Sequence, residues 1–260
     1  MRAAVLTLLC SACALPVVSA GTFLPAGDLE KGDLHASISL ESGRVLAGPS
    51  DVHDLPETPR EAQRYEVSTW VATDLSLRWQ AASRVTLEAQ LKFTNPVVPF
   101  TPTPVGGALG ARYRLVERSP GGGFALEVAL RAVGVVAEQR IERTSSGNTQ
   151  TDVWNYRSLG LELPLVATYR VNPLFAITAS PFLRAYWIRV WHDIIVGLDT
   201  TRAELQWSPV LSAGFGAAAA FDLGPIQLSP GAAIELATKP GPEQKTHFLF
   251  EPGVTVGTRF

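Results

Sequence analysis

The chain has 260 residues, a formal net charge of −2, and 46% hydrophobic against only 18% charged residues, where an ordinary soluble domain carries roughly 25% charged. That balance excludes the basic face nucleic acid requires, and scattered Gly and Pro without a period exclude collagen. No stretch beyond residue 20 reads as the roughly 20 apolar residues of a spanning helix, which excludes a helical membrane protein for the body of the chain.

Arg2 gives a positive start, and Ala3 to Ala20 carry no charge. Val18-Ser19-Ala20 places small residues where a signal peptidase reads them, and Pro16 breaks any helix just before. The expectation is a cleaved secretory signal over 1–20 and a single domain over 21–260, beginning at Gly21. Cys10-Ser11-Ala12-Cys13 offers the alternative of a lipoprotein at Cys13, although Cys10 stands where Leu is usual. Both cysteines precede Gly21 and Met1 is the lone methionine, so no disulfide framework, soft-sulfur metal site or cofactor is expected.

The body reads with period two. From Tyr65 to Gln80 the odd positions are mainly apolar, ending in Leu75, Leu77 and Trp79, while the even positions include Glu66, Asp74 and Arg78. Such alternation marks a strand with one apolar face. Ten segments follow the rule, at about 33–45, 64–80, 84–95, 106–117, 123–141, 153–171, 175–190, 204–222, 225–238 and 246–260. Long connections (46–63, 96–105, 142–152, 191–203, 239–245) alternate with short ones near Ala81, Ser119, Asn172 and Leu223. Tight turns at one end and larger loops at the other are the habit of a transmembrane barrel. A soluble sandwich also alternates, but in strands of about five or six residues, whereas these exceed the ~9–11 that cross a bilayer. The expected fold is all-β, a single antiparallel up-and-down transmembrane barrel of about ten strands, with eight or twelve as alternatives. Apolar-face aromatics gather toward the segment ends, Trp79, Phe124, Tyr169, Phe175, Phe221 and Phe260 at one end and Tyr65, Phe93, Trp187, Trp207 and Phe248 at the other, as interfacial girdles would.

At the closing strand, Phe260 resembles the C-terminal signal of Gram-negative outer-membrane barrels. Leu161-Glu162-Leu163-Pro164-Leu165-Val166-Ala167-Thr168-Tyr169-Arg170-Val171 is similar to a recurring strand of the small outer membrane protein β-barrel domain families, porin-like and OmpA-like. Pro181-Phe182-Leu183 and Gly214-Phe215-Gly216 resemble their later strands. The resemblance implies a place in the bacterial outer membrane, with lipid and lipopolysaccharide around the chain and the barrel-assembly machinery reading Phe260. Those families mix porins, adhesins and structural barrels, so it implies architecture rather than an activity.

The polar parity points inward. It carries seven acids (Glu66, Asp74, Glu88, Glu127, Glu162, Glu235, Glu251) and seven bases (Arg78, Lys92, Arg112, Arg114, Arg131, Arg184, Arg259). Ten strands enclose little more than the eight whose side chains fill the interior, and unpaired ions there would cost several kcal/mol. A cross-lumen ion-pair network is therefore expected, in a structural barrel or a narrow solute path. Gly110, Gly160, Gly214, Gly216, Gly253 and Gly257 on the same face would make room for long arginines. The competing reading is an enzyme. His53-Asp54 and His192-Asp193 fall in long connections on the expected extracellular side and would resemble the general-base chemistry of omptin proteases, with a lipid-modifying hydrolase as the other form of this alternative. The omptin spacing is absent, as are the GxSxG, HExxH and P-loop motifs, so the histidines read as solvated loop residues and no catalytic residue is assigned.

Overall fold

The computed structural model describes residues 17–18, 23–45, 69–94, 105–118, 123–145, 148–238 and 246–260. A two-residue strand, β1 (Val17–Val18), lies antiparallel to Val45 and Arg44. The wall consists of β2 (Leu34–Val45), β3 (Thr69–Ala82), β4 (Val85–Thr94), β5 (Val105–Val116), β6 (Gly123–Ser145), β7 (Asn148–Asn172), β8 (Phe175–Val196), β9 (Asp199–Leu223), β10 (Ile226–Thr238) and β11 (Thr246–Arg259). Each pairs antiparallel with the next, and β11 returns to β2 with Gly253 opposite Glu41 and Arg259 opposite His35. Closure of ten strands leaves no open edge in the wall. Reciprocal backbone bonds between Leu34 and Phe260 finish the seam at 3.2 and 2.8 Å.

The alternation places every described strand as its parity demands. Outward residues such as Leu109 (70% exposed), Leu130 (55%) and Leu211 (60%) form an apolar belt, while Asp74, Arg78, Glu88 and Arg112 on the other parity are buried. Trp79, Tyr113, Phe124, Tyr169 and Phe221 are exposed toward the short-turn end, and Trp187, Trp207 and Phe248 toward the other. Tyr65 lies outside the described residues.

Two expected loops are instead mostly strand. Ser145 pairs with Asn148, so 142–152 is the tip of the β6–β7 hairpin. Val196 likewise pairs with Asp199 across a turn where Gly197 takes φ 62°, so 191–203 belongs to β8 and β9. In those stretches neither parity is consistently apolar, so the period-two signal fades although the ladder continues. Pro164 sits opposite Phe182. The β6–β7 ladder is interrupted beside it, between Val128 opposite Leu165 and Arg131 opposite Glu162, because proline has no N–H to donate.

Candidate functional site

The interior is filled by two structures, a chain of charges on the wall and a strap of N-terminal residues across the bore. The wall chain starts from register. Glu88 stands opposite Gly110, Gly110 opposite Arg131, Arg131 opposite Glu162, and Glu162 opposite Arg184. Opposite charges thus meet as direct cross-strand neighbours on three successive strands, β6, β7 and β8, with Glu88 two strands from Arg131 across Gly110. Gly110 is the gap that lets Arg131 lean past β5 to Glu88, since a Cβ there would come within 2.8 Å of the Arg131 Cγ.

Following the contacts, Arg114 pairs with Glu127 (3.3 Å), Glu127 with Arg112 (3.8 Å), and Arg112 donates to Glu88 (2.8 Å). Glu88 also accepts from Arg131, which reaches Glu162 at 3.6 Å. Glu162 lies 3.5 Å from Arg184, which donates to Glu235 at 2.6 Å. Lys92 donates to Asp74 at 2.9 Å. Tyr186 donates its hydroxyl to Glu162, and the Arg184 guanidinium stacks 4.2 Å from the Phe182 ring centroid. Each of these ion pairs joins strands no more than two apart. These pairs therefore run along the wall, where neighbours in the ladder are nearer than residues across the diameter.

What crosses the bore is the segment before β2, which the period-two reading left unassigned. Phe23, Leu24, Pro25, Ala26, Asp28 and Leu29 are all buried. The Ala26 N–H donates to Thr168 Oγ1 (2.8 Å) and the Gly27 N–H to Glu127 Oε1 (2.9 Å). Arg78 donates to the Pro25 carbonyl (3.2 Å), Arg114 to that of Leu29 (2.9 Å), and Arg259 to that of Asp28 (2.8 Å). The Asp28 carboxylate accepts from Arg118 (3.0 Å), Arg170 (2.8 Å) and Gln227 (3.1 Å). Arg170 and Gln227 also bond Asp222. Below this hub a cavity of about 870 Å³ opens at the short-turn end, lined by Asp28, Arg118, Arg170, Asp222 and Arg259 among others.

The inward glycines serve a different purpose from the one expected. Only Gly110 makes room for an arginine. Gly160 and Gly214 face the rings of Tyr186 and Phe182, Gly257 faces His35, and Gly216 and Gly253 face Phe23. A Cβ at Gly231 or Gly253 would stand 2.8 Å from the Phe23 ring. Planar rings, not flexible guanidinium stems, need the missing methyls, because a ring cannot bend around them.

Of the other inward residues expected from sequence, Glu251 is fully buried, and among the described residues neither of its oxygens has a hydrogen-bond partner. The Arg259 side chain is 38% exposed at the mouth, 3.6 Å from Asp222, because it lies at the strand's end rather than in the lumen. Glu66 lies outside the described residues, as do His53 and Asp54. Asp193 is on β8, opposite Arg202, which donates to both its oxygens at 2.6 and 2.9 Å. Glu41, His35, Asp28, Arg118, Arg170, Asp222 and Gln227 were not anticipated. Parity on β2 would have flagged Glu41 and His35, but the irregular residues 23–33 have no period to read.

No protein-family description matches the chain, and no curated protein matches it. Among solved structures, an outer membrane channel from Pseudomonas putida F1 overlaps it at 14% identity and TM-score 0.45, covering 91% of this chain and 100% of that one. The outer membrane protease OmpT of Escherichia coli gives 13% and 0.42, covering 93% and 98%. The N-terminal β-barrel domain of Pseudomonas aeruginosa OprF gives 10% and 0.31, covering 89% and 100%. All three are outer-membrane barrels with differing roles, and overlaps this low are no guide to activity.

Proposed function

We propose that the chain is a bacterial outer-membrane barrel that works without catalysis and whose bore is closed in the state described. The observation that carries this is the pairing of two surfaces on one wall, an outward apolar belt around an interior of buried, largely paired charge. Only a barrel in lipid has reason to turn its leucines out and its arginines in. On this reading residues 1–20 are a removed signal, Phe260 is read by the barrel-assembly machinery, and lipopolysaccharide and phospholipid are the partners of the belt. Asp193 is held by Arg202, which supports reading the His192-Asp193 pair as structural rather than as a water-activating site.

The test is planar-bilayer recording on the purified, processed barrel, alongside membrane fractionation. The expected result is outer-membrane fractionation with no stable conductance steps at rest. Steady ion-selective steps from the wild type would refute the closed bore. A narrow solute path is the second reading, favoured because the element spanning the bore is no part of the sheet.

A further inference from the structure

We propose that residues 23–29 are a displaceable plug, latched by Asp28, and that the barrel without it passes small hydrophilic solutes. This rests on the reading of the chain as a membrane barrel, and it goes beyond a static closed bore.

Three observations converge on it. The plug is not woven into the wall. No backbone hydrogen bond from residues 23–29 enters the described sheet, and the first to do so is the Gly32 N–H to the Gln80 carbonyl at 2.9 Å. The segment is held by side chains instead, from Thr168, Glu127, Arg78, Arg114 and Arg259. Water can replace each of these bonds at small cost. In a chain processed after Ala20, which no longer carries the β1 pairing with Arg44 and Val45, withdrawal therefore breaks no strand pairing among the described residues.

The wall behind the plug is built to be narrow only when the plug is in. Its tip, Phe23, packs on Ala218, Ala233 and Phe182 and lies over Gly231 and Gly253. Hydroxyls are frequent on the rest of that wall. Ser39 pairs with Thr255 at 2.8 Å and Thr168 with Thr178 at 3.0 Å, while the buried hydroxyls of Ser37, Thr73, Ser76, Ser212 and Ser229 have no hydrogen-bond partner among the described residues and are open to water once the plug leaves. Taking the plug out leaves a polar groove whose charges are mostly already paired. Such a groove wets readily and favours solutes that are uncharged or zwitterionic over free ions of one sign.

The hold is concentrated at one buried residue beside the open cavity. Asp28 gathers Arg118, Arg170 and Gln227 on its carboxylate and Arg259 on its carbonyl. It does so on the lining of the open cavity at the short-turn end. The rest of the plug is short and apolar, and Pro25 keeps it stiff. Loss of the carboxylate unpairs the base of the plug while leaving its tip in place.

Conductance in potassium chloride is compared for the wild type, Asp28→Ala, a deletion of 23–29, and Asp28→Ala carrying the pair Ala26→Cys and Ala125→Cys. The two alanines share an apolar cluster with Val166, and the only native cysteines, Cys10 and Cys13, precede the expected mature start. Folding of each is checked by heat-modifiable migration. Asp28→Ala is expected to raise the open fraction about tenfold or more, and the deletion to conduct continuously. Oxidation should silence the cysteine variant and reductant should restore it. In liposome swelling the deletion should admit glycine and arabinose and exclude a trisaccharide, since ten strands enclose little more than a filled interior. A folded deletion that conducts no better than wild type overturns the proposal. Where the deletion fails to insert, equal conductance of the oxidised and reduced cysteine variant overturns it instead. A wild type that conducts steadily refutes the closed-bore reading, not the plug.

Discussion

Glu88 and Glu251 are both carboxylates buried in one bore, yet their surroundings differ. Glu88 accepts from Arg112 and Arg131, whereas Glu251 has no hydrogen-bond partner among the described residues. Removing a base from the chain should therefore be costly. Arg131→Ala takes from Glu88 one of its two arginines, leaving Arg112, and from Glu162 a contact at 3.6 Å, leaving Arg184 and Tyr186. It is expected to destabilise the barrel, by less than the roughly 3–5 kcal/mol of a fully unpaired buried charge, read by urea unfolding in liposomes. Glu251→Gln removes a buried carboxyl with no hydrogen-bond partner among the described residues, and should leave the unfolding midpoint unchanged or raise it. A loss comparable to that of Arg131→Ala would show that Glu251 has a structural partner. Parity alone was enough to turn these side chains inward. Which acid meets which base was not legible, because a pairing depends on register, and register is set by bulges such as those between Gln80 and Ala82 or Arg114 and Val116 that leave no mark in an alternating pattern.

At the level of elements, all ten wall strands were legible because each buries a polar face and turns an apolar one outward. Legibility stopped where that contrast stopped, at the β6–β7 and β8–β9 tips, and in residues 23–33, which belong to no strand. The seam between first and last wall strands gives a direct test. Deleting Phe260 removes both backbone bonds to Leu34 together with an outward aromatic, so the yield of folded, heat-modifiable barrel should fall. Undiminished yield in membranes would count against any role for this residue in closure or assembly.

For the whole molecule, the intact mass of the exported protein should fit a start at Gly21, and a mass fitting an acylated Cys13 would make it a lipoprotein instead. The double change His53→Ala, His192→Ala should leave folded yield untouched. Wild type and variant should be equally inert toward fluorogenic peptides, labelled lipopolysaccharide and phospholipids. Turnover lost in the variant would promote the omptin-like alternative.

The seam also governs the order in which the chain can become safe. β2 is the first wall strand and β11 the last, and each is the other's neighbour. Until the final fourteen-residue strand reaches its place, β2 and β10 remain two long, unpaired strand edges flanked by leucines, the kind of surface that recruits other chains. An intermediate in which β11 has not yet docked therefore keeps both edges open, and the ring becomes safe only when that last wall strand is in place.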